Sequence, residues 1–370
     1  MPSLREFLEK INIKGQVSYN EPMSRHTSFH IGGPADVLVV PENRGDFIRL
    51  VLAARAEGIP LFVLGGGANL LVGDRGIRGI VLSSSGLREI ELAAVRSSPG
   101  GAPLAAASVY ASEGGAAGNP PRSPVTLAGG AGLPVNRLCE AALTGGLAGL
   151  GTFFGMPGSL GGAVYMNARC YEAEIADRLA WVDYLPPPNR EAGAGSLPDA
   201  AAAGTAASAN GTTDRSAASP DKAVARLLFD PAAWSYKRSP FQRGEPLAGA
   251  IILGAGFALP GGNPAEIRRL MEEKRADRAA KGHYRLPCAG SVFKNNHDFG
   301  APTGKLLDSL GFRGRRIGDA MVSDWHANIF VNAGHAKAAD MRALIETAQS
   351  EAKAKLGFDL EPEVLFVGEF

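Results

Sequence analysis

The chain predicts a fold of the α+β or α/β class on three observations. Short apolar runs alternate with segments of helical period, first across residues 35–40, 46–57 and 60–64, and alternation of strand and helix patterns is the mark of sheets covered by helices. The C-terminal part does the same: residues 337–356 place Met341, Leu344, Ile345 and Ala348 on one helical face, and 364–367 read as a closing strand. Glycine-rich turns at 65–69 and 155–163 punctuate these patterns, as expected where backbone must pass close to a ligand or to other backbone.

Taken in order, residues 1–14 set Leu4, Phe7, Leu8 and Ile11 against Arg5, Glu6, Glu9 and Lys10, an amphipathic helix rather than a signal peptide. Residues 27–35, Thr-Ser-Phe-His-Ile-Gly-Gly-Pro-Ala, form a short turn signal ahead of the first strand. The first glycine loop, Gly65-Gly66-Gly67-Ala68-Asn69, lies between the apolar runs 61–64 and 70–72. A strand follows it where a Rossmann fingerprint or P-loop needs a helix, and no Gly-Lys-Ser/Thr ending is present, so it is neither. Its successive N–H groups can still form a nest for a diphosphate. Residues 95–123 are biased toward small residues, with room for a short strand at Val109 and Tyr110.

The second loop joins a rigid Pro157 to Gly158, Ser159, Gly161, Gly162 and Ala163, offering amides and one hydroxyl to a pyrophosphate or a flat ring. Residues 186–222 hold no aromatic and only Leu197 as a large aliphatic; such a segment reads as a disordered surface loop without chemistry. Arg275, Arg278 and Lys281 lie on one helical run, a solvated face unless a diphosphate docks there. Cys288-Ala289-Gly290-Ser291-Val292-Phe293-Lys294-Asn295-Asn296 puts a hydroxyl beside glycine in a polar turn, and Leu360-Glu361-Pro362-Glu363-Val364 puts carboxylates at the start of the closing strand. Together they can supply a proton donor and an anionic partner to one substrate. Glu361 and Glu363 share a face of an extended chain, so Glu361 competes with Glu363.

Composition excludes several classes. The 370 residues carry 38 Lys and Arg against 37 Asp and Glu, a net charge of +1, so no strong field favours nucleic acid or an anionic membrane. No apolar run approaches a membrane span. Cys139, Cys170 and Cys288 are scattered without metal or disulfide spacing, which fits reduced thiols in a cytoplasm. His30 and His283 have no partners at metal-ligand spacing, and His326 reads as a packed histidine, so no metal is expected.

In this order the motifs at 27–35, 64–72, 146–167, 236–241, 289–295 and 361–368 resemble the UDP-N-acetylenolpyruvoylglucosamine reductase family, flavoenzymes of peptidoglycan synthesis. The resemblance covers about residues 22–368 apart from the two biased stretches. It implies an α+β protein with a two-part FAD-binding region of the vanillyl-alcohol-oxidase/PCMH type and a C-terminal α+β substrate domain. The parts would be 1–82 with the closing strand 360–370, then 83–245, then 246–359. It implies noncovalent FAD held by Thr27, Gly65, Gly66, Gly67, Ala68, Asn69, Leu70, Pro157, Gly158, Ser159, Gly161, Gly162 and Ala163. NADPH is the hydride donor, and a small-molecule sugar nucleotide is bound by Tyr236, Lys294, Asn295, Arg278 and Lys281. Ser291 matches the family's proton donor and Glu363 its catalytic glutamate.

The family's Tyr-Arg-x-Ser is Tyr236-Lys237-Arg238-Ser239 here. Either Lys237 serves as a point charge where arginine gives a fork, or Arg238 reaches in. Gly-Ala-Tyr-Gly is replaced by Arg169-Cys170-Tyr171-Glu172, which makes Arg169 a second candidate for an anionic group. The substrate tyrosine loop of one subgroup has no clear counterpart between Phe241 and Ser291. The resemblance further implies a cytoplasmic monomer without membrane insertion that serves cell-wall biogenesis, cell shape and division. Two other readings compete: another FAD enzyme of the same architecture, such as an oxidase of small alcohols or sugars, and a non-catalytic nucleotide-binding module.

Overall fold

The computed structural model describes residues 3–94, 125–188 and 220–370; the biased stretch 95–123, and 189–219 of the stretch 186–222, lie outside the described residues. A helix at Leu4–Ile11 opens the chain, shorter than the expected 1–14, with Ser3 and Glu6 forming a capping box and Asn12 ending it at φ 52°. A four-stranded mixed sheet follows, ordered Gly15–Pro22, Pro34–Pro41, Ile77–Ser83, Leu61–Leu64. The outer pair is antiparallel and the remaining pairs are parallel. The helix Arg44–Ala56, capped by Asn43, packs Phe47, Ile48, Leu50 and Val51 on this sheet.

The second sheet is antiparallel and five-stranded, ordered Ala225–Leu228, Leu179–Leu185, Ile251–Leu259, Val125–Gly130, Ile90–Ala94. Its central strand Ile251–Leu259 is buried on both faces except at Ala258, as a strand covered on both sides must be. This corrects the boundary drawn at 245/246: the second unit continues through Leu259, because the pairing partners of 251–259 are 125–130 and 179–185. A single apolar core runs from Phe47 through Leu127 and Phe153 to Phe257, joining the first two units.

The helix Pro264–Ala280 packs Ile267 and Met271 into the core of the first two units, and the third unit contains a four-stranded antiparallel sheet, Cys288–Ser291, Ile329–Asn332, Ala320–Val322, Arg316–Ile317, backed by Ala338–Leu356. The last strand, Leu365–Val367, returns to the first unit and pairs in parallel with Leu70–Val72. The chain end therefore reaches the strand that follows the first glycine loop. Among the described residues no helix is long and apolar enough to cross a membrane.

Candidate active site

The two glycine loops interlock. A Cβ on Gly66 would stand 2.6 Å from the Gly158 Cα, and one on Gly67, at φ +62°, would stand 1.9 Å from the His26 carbonyl oxygen, so only glycine permits both the approach and the backbone turn. The Gly66 amide donates to the Ser159 hydroxyl at 3.1 Å, which also caps the helix Leu160–Tyr165 by accepting from the Gly162 amide at 3.4 Å. Ser159 thus knits the loops together.

Beyond the loops stand three side chains that the sequence separates widely. Ser291 ends the strand Cys288–Ser291 opposite Ile329, after an irregularity at which Gly290 adopts φ +77°. The Glu363 amide donates to the Val292 carbonyl at 2.7 Å and the Lys294 amide to the Glu361 carbonyl at 3.0 Å, which lays 361–363 beside 292–294. The third side chain is Lys237, whose ammonium bonds the Glu363 carboxylate. Both partners are nearly buried, with side chains 11 % and 15 % exposed. Lys237 sits at φ +58°, an uncommon conformation for a residue with a side chain. Its turn is pinned from outside: Gln242 donates to the Lys237 carbonyl at 3.0 Å, Asn167 to the Ser235 carbonyl at 2.8 Å, and Ser239 to the Tyr165 carbonyl at 2.6 Å.

Loops, Ser291, Lys237 and Glu363 line one cleft of about 950 Å³, together with Tyr236, Arg278, Asn295 and Leu70. Arg238, Lys281 and Lys294 stand outside this lining. Arg238 turns outward to Glu245 at 2.9 Å with its side chain 63 % exposed, since neighbours in the turn project to opposite sides. Lys281 pairs with Asp277 at 2.7 Å on the surface. Lys294 is held by the exposed Glu361 at 2.6 Å, and that engagement also separates Glu361 from the cleft that Glu363 lines. Thr27 donates to the Ile31 carbonyl at 2.8 Å and lines a smaller hollow of about 340 Å³ that shares Gly65, Gly66, Ala68 and Pro157 with the cleft. Asn295 accepts from the Thr303 amide at 3.0 Å. Arg169 is engaged by Glu174 at 3.3 Å and covers the Tyr236 ring at 5.5 Å.

Other wall residues have partners that their sequence positions do not announce. Arg278 donates to the Cys170 sulfur at 2.8 Å, while its Nε is buried without a protein partner among the described residues. Burial pushes the Cys170 thiol pKa up, against the pull of Arg278 and Lys237, so the thiol is held protonated. Burial and a hydrogen bond to Asp277 raise the Tyr171 phenol. Tyr284 reaches across to donate to the Gly155 carbonyl at 2.7 Å. Burial, with Arg278 second, lowers His283 to about 4, so its ring is neutral.

The chemistry of this cleft suits a nucleotide cofactor. Its volume falls in the upper part of the roughly 300–1,000 Å³ range of small-molecule sites. The amides of Gly67 and Ala68 have no protein acceptor among the described residues and border the cleft, leaving donors for a diphosphate. No cluster of three or more His, Cys, Asp or Glu able to hold a metal occurs among the described residues.

Residues 35–131 match a family model described as FAD binding domain, and 282–367 match one described as UDP-N-acetylenolpyruvoylglucosamine reductase, C-terminal domain. The chain is 35% identical to the UDP-N-acetylenolpyruvoylglucosamine reductase of Treponema denticola over 96% of its own length and 95% of the relative's. It is 36% identical to that of Treponema pallidum, over 95% and 93%. The crystal structure of the reductase from Thermus caldophilus superposes with a TM-score of 0.63 at 26% identity, covering 96% of this chain and 99% of that one.

Proposed function

The chain belongs to the UDP-N-acetylenolpyruvoylglucosamine reductase family, and from that premise we propose that it reduces UDP-N-acetylglucosamine enolpyruvate to UDP-N-acetylmuramate with FAD and NADPH. One observation carries the reading: a hydroxyl, Ser291, and a nearly buried ion pair, Lys237–Glu363, line the same cleft as two interlocked glycine loops. In this reading the loops at 65–70 and 157–163, with the Thr27 segment beside them, hold FAD. When bound, that cofactor supplies hydride drawn from NADPH to the methylene carbon of the enolpyruvyl ether.

The protein's own groups handle the charge that follows. As negative charge grows on the adjoining carboxylate, the Lys237 ammonium lies within a site of low solvent access, where a fixed charge acts strongly. Glu363 holds that ammonium in place and offsets the cost of burying it. Ser291 gives its hydroxyl proton to the alpha carbon and recovers one from water. Tyr236, Asn295 and Arg278 bind the sugar nucleotide, with Lys281 and Lys294 adding positive charge outside the lining.

The test is spectroscopic. The purified protein is expected to be yellow, to bleach with NADPH, and to recolour with the enolpyruvyl sugar nucleotide much faster than with oxygen alone. Colour released by acid precipitation marks the flavin as noncovalent. A colourless protein that takes up no FAD refutes the reading, and recolouring by oxygen at a comparable rate reassigns the chain to an oxidase.

A further inference from the structure

We propose that Asn69 is a positioning residue for the reduction step: its amide holds the backbone of Glu363 and so sets where the Lys237–Glu363 pair stands relative to Ser291. This rests on the function proposed above. Asn69 Nδ2 donates to the Glu363 carbonyl at 2.9 Å, and the Leu365 amide donates to the Asn69 carbonyl at 3.0 Å. Glu363 is also gripped from its other side, where its own amide donates to the Val292 carbonyl at 2.7 Å. Val292 directly follows Ser291. Asn69 and the strand of Ser291 thus hold the carboxylate-bearing residue between them.

The ladder beyond Asn69 pairs Leu70–Val72 with Leu365–Val367 and is continued by the Gly73 amide donating to the Val367 carbonyl and the Glu369 amide donating to the Gly76 carbonyl, each at 2.9 Å, so its far end is held independently of Asn69. Asn69 pins the end of that ladder nearest the chemistry. It also follows directly after Gly67 and Ala68, whose free amides border the cleft. One five-residue turn therefore carries donors for the cofactor diphosphate and the clamp on Glu363, and displacement of the turn moves the carboxylate with it. The side-chain type fits: aspartate has no proton to give the Glu363 carbonyl at neutral pH, and alanine leaves that carbonyl without its donor.

Rapid-mixing absorbance on the FAD-loaded protein tests this. Asn69→Ala is expected to slow reoxidation by the enolpyruvyl sugar nucleotide about 10- to 100-fold more than it slows flavin reduction by NADPH, because small misplacements of a reacting group are costly. In a Glu363→Gln background the same substitution should slow reoxidation by less than about twofold, since coupled residues are not additive. A residue that only supports the fold has no reason to show this dependence on Glu363. Asn69→Asp, equal in shape but without a donor, is expected to give the same split and serves if Asn69→Ala loses its flavin. Equal slowing of both half-reactions, full additivity with Glu363→Gln, or wild-type reoxidation overturns the inference. If the wild-type flavin is itself not reoxidised by the sugar nucleotide, the functional reading falls and this inference with it; if only the Asn69 variants match the wild type, the inference falls alone.

Discussion

At Lys237 and Glu363 two opposite charges, each nearly withdrawn from water, bond across 126 positions of sequence. Removing one partner leaves the other buried and uncompensated, which costs about 3–5 kcal/mol, whereas removing both is far milder. Lys237→Met is therefore expected to lower the unfolding midpoint in urea, and Lys237→Met with Glu363→Gln to recover most of it while substrate reduction stays slow. Arg238→Met should leave both quantities near wild type, because Arg238 faces Glu245 at the surface; the reverse ranking would move the charge to Arg238. Ser291 poses a cleaner question, since its hydroxyl has no protein partner among the described residues. Loss of a positioned acid typically costs about 10²–10⁴-fold, so Ser291→Ala should slow reoxidation by the sugar nucleotide to that extent. Flavin reduction by NADPH should change little, and normal reoxidation would remove Ser291 as the acid.

The contact between the glycine loops is the element on which the cofactor site depends. Gly66→Ala drives a methyl group against backbone, 2.6 Å from the Gly158 Cα, where no rotamer change relieves it. The variant is expected to fold yet purify pale, with FAD content the measurement; full flavin occupancy would show that the loops can part without losing the cofactor. These loops were legible from composition alone, as were the helices at Arg44–Ala56 and Ala338–Leu356 and the closing strand. Each depends on near neighbours in sequence, which is where periodicity and turn chemistry act. The fixtures of the site were not legible. Asn167, Gln242 and Asn328 work through long-range bonds, Asn328 clamping Phe293 by accepting from its amide and donating to its carbonyl across 35 positions. An isolated amide side chain carries no local pattern to reveal this. The second sheet extends past residue 245 for the same kind of reason: only the pairing of Ile251–Leu259 with 125–130 and 179–185 decides which sheet owns it. The tyrosine reaching over the cleft, Tyr284, lies inside the interval between Phe241 and Ser291, where no loop motif announces it.

Across the whole molecule, folding buries groups whose protonation then differs between folded and unfolded chains. His283 is shifted from its ordinary 6.5 to about 4, first by burial and then by Arg278, His326 and Lys281, with Asp277 opposing. His326 is lowered as well, by burial and then by Arg313. The direction of the consequence follows from proton counting. Between pH 6.5 and about 4 the unfolded chain binds a proton at residue 283 that the folded chain refuses, so stability contributed by the neutral ring is intact above 6.5 and drains away as the pH falls through that window. His283→Gln is expected to flatten the acid limb of a plot of unfolding midpoint against pH, and His283→Gln with His326→Gln to flatten it further. Above pH 7 each variant should run parallel to the wild type, because the imidazole is neutral in both states there. Carboxylates elsewhere titrate alike in all three proteins and drop out of the differences between curves. Acid limbs that stay parallel from pH 7 to 4 would show that neither ring is withheld from protons by the fold.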